Sequence, residues 1–251
     1  MKIIAIANQK GGCAKTTTVV NLACALGELG KKVLVIDLDP QANASQWLAP
    51  QREIDGSYEL LTTGKSVQGL IEATHSTGVY LLSASQELSK IDKILAGELS
   101  TETKLKRKLA ALDLHQWDYV LMDTPPTLGL LTLNACVAAD SILVPVTTHV
   151  MSLSGVAQLM EKYQEIVEVL NPGLKVMGFV PSRVDLRTRH SKEVIELLKD
   201  QFGDKVFKSQ IRENIYLAEA PSFAEAILTY KTKSGAAEDY RALAKEVLAK
   251  N

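Results

Sequence analysis

The sequence predicts an α/β fold in which a mostly parallel, twisted sheet carries helices on both faces. Three observations support that prediction. Apolar, β-rich runs end at a glycine pair or at a carboxylate, and they alternate with stretches of helical period. Two of the runs, Val33-Leu34-Val35-Ile36 and Tyr119-Val120-Leu121-Met122, are unbroken, which implies burial on both faces, as in a parallel sheet. At 251 residues and 46% hydrophobic content the chain can bury a large core, and one domain spanning 1–251 is expected.

The first element sets the others. Ile3-Ile4-Ala5-Ile6-Ala7 reads as a strand, Gly11-Gly12 as a turn, and Lys15, Thr16, Val19, Leu22 and Leu26 as the opening of a helix. Paired glycines let successive backbone N–H groups turn inward, and the helix N-terminus adds its orphan amides and positive dipole end. This is a phosphate-binding loop, with Lys15 reaching β- and γ-phosphates and Thr16 a ligand for magnesium. The strict G-x-x-x-x-G-K-[ST] pattern fails at Gln9 and Ala14, and a positive φ at position 14 would strain alanine.

The helix is expected over 15–29, with Gly30 as its stop. The next strand runs out into Asp37-Leu38-Asp39-Pro40-Gln41-Ala42-Asn43. Asp37 and Asp39 alternate, so both can face the phosphates, where a carboxylate orients water or holds a metal's hydration shell; the other reading is a polar strand cap. Short helices broken by Pro50, Gly56 and Gly64 fill 44–73, and a strand follows over 79–82. Of the two helical stretches after it, the one over 102–114 carries Lys104, Lys106, Arg107 and Lys108, read as a solvated face. The strand 119–123 delivers Asp123 ahead of Thr124-Pro125-Pro126, either as a magnesium carboxylate beside Thr16 or as a simple turn.

Downstream come a helix over 129–138, a strand over 141–146 preceded by a turn residue, Asp140, and a long amphipathic helix over 152–170. The last of these presents Leu153, Val156, Leu159, Met160, Tyr163 and Val167 as a core stripe. A strand over 175–183 leads to Arg183, Arg187, Arg189, His190 and Lys192, before and at the start of a helix over 191–202. Cations there oppose the helix dipole, so either an external anion explains them or they form an exposed basic loop. A helix over 235–249, with Ala236, Tyr240, Leu243, Val247 and Leu248, closes the chain.

A net charge of -1 and a pI near 6.4 exclude a generally basic nucleic-acid binder, so DNA binding would need a local patch. From Asn171 onward there are 14 Lys and Arg against 11 Asp and Glu, a small basic excess that weakly foreshadows such a patch in the final third of the chain. Cys13, Cys24 and Cys136 contain no C-x-x-C pair, pointing to a reducing compartment and to neither disulfides nor zinc. Cys13, beside helix-terminal amides, is read as space filling, with a redox role as the alternative. The histidines, His75, His115, His149 and His190, are scattered. With no signal peptide and no apolar run of bilayer length, a cytoplasmic location is expected.

In order along the chain stand K-G-G-x-x-K-T-T from Lys10, D-x-D-P-Q from Asp37, D-T-P-P from Asp123 and L-x-E-A-P-S from Leu217. This set resembles the deviant Walker A ATPases of the ParA/MinD superfamily, and most closely the ParA-type partition ATPases, over essentially the whole chain. The resemblance implies a P-loop NTPase fold, ATP and Mg2+ as cofactors, and slow hydrolysis. It places nucleotide at Lys10, Gly11, Gly12, Cys13, Ala14, Lys15, Thr16 and Thr17, with Pro181, Ser182, Gln210 and Ile211 near the adenine. Lys10, Lys15 and Asp39 become the catalytic residues, with Lys10 reaching the partner's nucleotide across an ATP-dependent homodimer, and Thr16, Asp37 and Asp123 serve the metal.

The same resemblance implies non-specific binding of double-stranded DNA through Arg183, Arg187, Arg189, Lys192, Arg212, Lys231 and Lys233, a ParB-like activating partner, and no membrane. Arg212 and Glu213 depart from the family's proline and arginine, and Tyr216 stands where many members carry a basic residue. Alternatives are a related ATPase positioning a protein cargo, a MinD-like membrane ATPase, a P-loop synthetase activating a carboxylate, and a non-hydrolysing nucleotide-gated scaffold. The membrane alternative needs a detachable basic amphipathic helix, for which 243–251 is short.

Overall fold

In a computed structural model, residues 1–51, 56–113, 115–148 and 152–250 are described, without the side chains of 152–155 and 158. The strands are β1 (Lys2–Ile6), β2 (Val33–Asp37), β3 (Glu72–Ala73), β4 (Val79–Leu82), β5 (Tyr119–Asp123), β6 (Ser141–Thr147), β7 (Lys175–Val184) and β8 (Ile211–Arg212). They form one sheet in the order β3-β4-β2-β5-β1-β6-β7-β8. Every neighbouring pair is parallel except the antiparallel β3 and β4.

The longer helices are α1 (Lys15–Glu28), α6 (Leu130–Ala138), α7 (Ser152–Val169), α8 (Arg189–Phe202) and α11 (Gly235–Ala249). Shorter ones are α2 (Asn43–Leu48), α3 (Gly56–Thr62), α4 (Ile91–Ile94), α5 (Lys104–Leu109), α9 (Ile215–Glu219) and α10 (Ile227–Tyr230). Strand residues alternate between two separate cores, because successive side chains leave a strand on opposite faces. Ile4, Ile6, Val33, Val35 and Leu121 pack with Val19, Leu22 and Leu26 of α1 and with Tyr240, Leu243 and Val247 of α11. Ala5, Leu34, Ile36, Val120 and Met122 pack with α6, α7 and α8 through Leu131, Val156, Leu159 and Val194. Helices on both faces are therefore required to dry the sheet, as the unbroken strands predict.

Several expectations are refined. Gly56 opens α3 instead of breaking a helix, since its backbone lies against the Leu82 side chain and Ser83, too close for a Cβ. The helix expected over 102–114 is a 3-10 turn (Thr101–Thr103) followed by the short α5, and Leu114 lies outside the described residues, as does His149. The side chain of Leu153 is likewise outside them, while Val156 and Leu159 are buried and Met160, Tyr163 and Val167 pack against the core. The two-residue strands β3 and β8 carry no readable alternation and were not foreseen as strands. Among the described residues no helix is long and apolar enough to cross a membrane, and the apolar face of α11 is already spent on the core.

Candidate functional site

The site lies beyond the carboxyl ends of β1, β2 and β5, where ligands collect in open α/β sheets. Between β1 and α1 the chain makes the expected cradle. Gly12 has φ 71°, and Ala14 sits in the left-handed region at φ 67° and ψ 30° immediately before Lys15. No side chain caps α1 and no acidic residue occupies its first turn, so its positive end is suited to an anion. Lys15 is only 7% exposed. The buried Asn8 anchors the loop: its Nδ2 donates to the Pro145 carbonyl at 2.8 Å and its Oδ1 accepts from the Lys10 amide at 3.1 Å.

Alanine at 14 thus holds a conformation that costs it about 1 kcal/mol or more. Ala14→Gly is expected to raise stability by about 1 kcal/mol, read by denaturant unfolding. An unchanged or lower stability would show that the strain is already relieved by neighbours.

Register brings the carboxylates together. Asp123 pairs with Ile6 on one side and Asp37 on the other, so two acids end adjacent strands at the same level. Both are fully buried. Burial pushes both pKa values up, and their mutual repulsion adds to the effect at Asp123. Asp37 is held by protein: its Oδ1 accepts from the Asp39 amide at 3.0 Å, and its Oδ2 accepts from the Ser45 amide at 2.9 Å and hydroxyl at 2.7 Å. Ser57 Oγ donates to the Asp37 carbonyl at 2.6 Å.

Asp123 has no such support. Among the described residues neither of its oxygens has a hydrogen-bond partner of ordinary geometry, although the Thr16 hydroxyl and the Lys15 charge favour its ionised form. A buried carboxylate left unpaired is costly, and a divalent cation is what restores its balance. Thr16 and Asp123 therefore fit magnesium, which keeps several waters and takes few protein oxygens. Among the described residues no group of three or more His, Cys, Asp or Glu gathers as a metal cage.

Asp39 lies just past β2 and is 7% exposed. Its Oδ1 accepts from the Gln41 amide at 2.9 Å, and its charge acts on Asp123 at the end of β5. Thr124, after Asp123, donates to the Ile6 carbonyl at 2.8 Å and ties the ends of β5 and β1 together. Cys13 is buried and its thiol is pushed up by burial, in keeping with space filling.

From the cradle a cavity of about 570 Å³ runs to the loop after β8, lined by Gly12, Ala14 and Thr17 at one end and Ile211, Arg212 and Asn214 at the other. Of the four residues expected near a base, only Ile211 lines it. Pro181 and Ser182 stay within β7, where Ser182 Oγ donates to the Val180 carbonyl at 3.1 Å, and Gln210 borders a separate groove with Ser191 and Lys192. Arg183, at φ 52°, also lines the cavity.

The basic residues do not form one bare patch. Arg183 pairs with Glu213 at 2.9 Å, Arg187 with Asp185 at 2.9 Å and Arg189 with Glu193 at 2.7 Å. Arg187 and Arg189 remain 89% and 93% exposed, so their partners hold them weakly. Lys192 and Lys233 are exposed. The Lys231 ammonium lies over the rings of Tyr216 and Tyr230, 5.1 and 5.6 Å from their centroids. Arg212 is apart from these, clamped to Asp239 inside the cavity wall.

Asn8, Ser45 and Ser57 went unnoticed in the sequence, and only Ser45, two residues past the D-P-Q-A-N string, stood close enough to a motif to be suspected.

Residues 1–176 match a family of AAA domains. The chain is 40% identical to the sporulation initiation inhibitor protein Soj of Bacillus subtilis, over 99% of this chain and 98% of that one. It is 43% identical to the chromosome-partitioning ATPase Soj of Thermus thermophilus, over 98% and 95% of the two chains. Among solved structures, a protein named cobyrinic acid a,c-diamide synthase from Mycobacterium smegmatis, with bound ATP analogue and magnesium, superposes with a TM-score of 0.87. It is 34% identical over 99% of this chain and 94% of that one.

Proposed function

This chain belongs to the ParA/Soj family of partition ATPases, and from that premise we propose that its ATP-bound form closes into a dimer that grips DNA without reading its sequence. The chain is an ATPase that uses ATP and Mg2+. The observation that carries the finer reading is Lys10. It stands half-buried on the rim of the phosphate loop with its backbone pinned by Asn8, and among the described residues its ammonium has no carboxylate partner. A lysine so placed is available to phosphates presented by a second subunit.

In this reading Gly11, Gly12, Cys13, Ala14 and Thr17 supply the cradle, and Lys15 holds the β- and γ-phosphates. Thr16 and Asp123 would hold the metal. Asp37, its oxygens already engaged, supports that shell through water. Magnesium held there would neutralise charge on the β- and γ-phosphates. Asp39 orients the attacking water and takes its proton. Lys10 of the partner subunit stabilises the charge that spreads over the transferred group, the role of a cation supplied in trans.

Dimerisation doubles the number of basic side chains offered to a duplex. Arg183, Arg187, Arg189, Lys192, Lys231 and Lys233 are the phosphate contacts of this reading, and surrendering weak surface ion pairs to phosphates costs little. Affinity climbs steeply with the number of phosphates neutralised, so monomer and dimer would differ greatly on DNA. Hydrolysis then dissolves the dimer and frees it from the chromosome, which is how such an ATPase would position DNA.

Retardation of a random-sequence duplex tests this. Binding is expected with ATP and not with ADP or without nucleotide, and is expected to weaken steeply with salt. Equal retardation in all three states would remove DNA gating by ATP. Basal turnover is expected on the order of 10⁻⁴ to 10⁻² per second, stimulated by DNA and a ParB-like protein. A fast basal rate that neither addition changes would contradict that partner.

The name of the Mycobacterium smegmatis structure suggests a second reading, ATP-dependent amidation of a carboxylate. Using glutamine for such a step takes a reactive thiolate. Cys13, Cys24 and Cys136 are all buried with thiols pushed up, the last two to about 11 and about 12. The chemistry of these side chains favours the partition reading.

A further inference from the structure

We propose that Arg212 is the platform on which the purine base of the bound nucleotide stacks, held in place by Asp239 and Gly235. The proposal rests on the nucleotide reading of the cavity and adds to it the residue that recognises the base.

Arg212 ends the edge strand β8 and faces the same cavity as the cradle. A nucleotide whose phosphates sit at Gly12 and Ala14 has its base directed along that cavity, toward the wall that Arg212 and Ile211 form. The guanidinium is fixed there to an unusual degree. Nε donates to both Asp239 oxygens, at 3.1 and 2.9 Å, and Nη2 donates to Asp239 Oδ1 at 2.7 Å and to the Gly235 carbonyl at 2.8 Å. The Arg212 amide adds a bond to Asp239 Oδ2 at 3.0 Å.

These bonds consume the donating edge that arginine uses for phosphate, since a bidentate grip needs two neighbouring nitrogens and only Nη1 is left. What remains is the flat surface. One side of it is covered: a Cβ on Gly235 would fall 2.8 to 2.9 Å from Cζ, Nη1 and Nη2, so glycine at 235 is what lets the guanidinium lie against the start of α11. The side chain is nonetheless 40% exposed, which leaves surface open for a π system. A clamped, planar cation stacks on an aromatic ring with little entropy left to lose. The observed clamp therefore argues against Arg212 as a DNA-phosphate contact and for a role inside the cavity.

Calorimetric titration with two probes, ATP and inorganic tripolyphosphate, each with magnesium, separates base recognition from phosphate binding. Wild-type protein is expected to prefer ATP. Arg212→Ala is expected to weaken ATP by about 5- to 30-fold, the size of a desolvated cation–π contact, and to leave tripolyphosphate unchanged. Gly235→Ala, which displaces the guanidinium without removing it, is expected to shift ATP in the same direction and again spare tripolyphosphate. DNA retardation by Arg212→Ala at saturating ATP is expected to match wild type. Equal weakening of both probes would assign Arg212 a merely structural role and overturn the proposal. So would unchanged ATP affinity, or a loss of DNA binding with ATP affinity intact. Wild-type protein that binds tripolyphosphate as tightly as ATP would overturn base recognition while leaving the phosphate site standing. Binding of neither probe would remove the nucleotide site itself.

Discussion

Replacing Asp39 with alanine is expected to slow ATP hydrolysis by about 10²- to 10⁴-fold, the usual worth of a positioned acid–base group. Nucleotide binding and ATP-dependent dimerisation should survive. The expectation follows from where the carboxylate sits. Asp39 lies just past β2 with only Oδ1 engaged, by the Gln41 amide, whereas both Asp37 oxygens are committed to Ser45 and the Asp39 amide. The substitution removes only side-chain atoms past Cβ. The bond that the Asp39 amide donates to Asp37 is retained, so the metal side of the site keeps its support. Phosphate release measured in single turnover, with light scattering on the same samples, reads both halves of the prediction. Hydrolysis within a few-fold of wild type would assign water positioning to another group.

Lys10→Ala should have an effect of similar size by a different route. A cation supplied in trans to a transferring phosphoryl group is worth about 10³- to 10⁵-fold in turnover. Lys10 is available for that task because Asn8 pins its backbone and because no acidic side chain among the described residues claims its ammonium. The stronger test is mixing. If each subunit lends its lysine to the other, a heterodimer of Lys10→Ala with Asp39→Ala contains one complete site, made of Asp39 from the first chain and Lys10 from the second. An equal mixture of the two inactive variants should then recover roughly a quarter of wild-type turnover, because half of the dimers are mixed and each has one working site. If Lys10 served its own subunit, no dimer in the mixture would hold a complete site. An inactive mixture would therefore refute the exchange.

Much of the site was legible because phosphate chemistry is local. A cradle of consecutive amides must come from consecutive residues, so Lys10 to Thr17 announce themselves, and a carboxylate delivered by a buried strand leaves a charge abruptly after an apolar run, as at Asp37 and Asp123. The base end of the cavity was less legible. Pro181 and Ser182 were expected there from the family's loops, but β7 continues to Val184 and keeps both in the sheet, and it is Arg183, a residue of the same strand at φ 52°, that lines the cavity. The basic cluster was visible as composition, yet its pairing with Asp185, Glu193 and Glu213 depends on rotamers and backbone turns that no spacing specifies.

The sequence by itself determined a mostly parallel sheet with two dry faces and the order of the phosphate motifs, since periodicity and glycine placement act over a few neighbouring residues. Only the tertiary structure decided that Asp123 is left without a partner among the described residues while Asp37 is fully engaged. The same holds for Asn8 anchoring the loop through Pro145, and for Arg212 turning inward to Asp239 instead of outward to solvent. Each of those outcomes is a competition for hydrogen bonds among groups far apart in the chain, and burial settles it: once water is excluded, a polar atom keeps whichever partner the packing brings within reach.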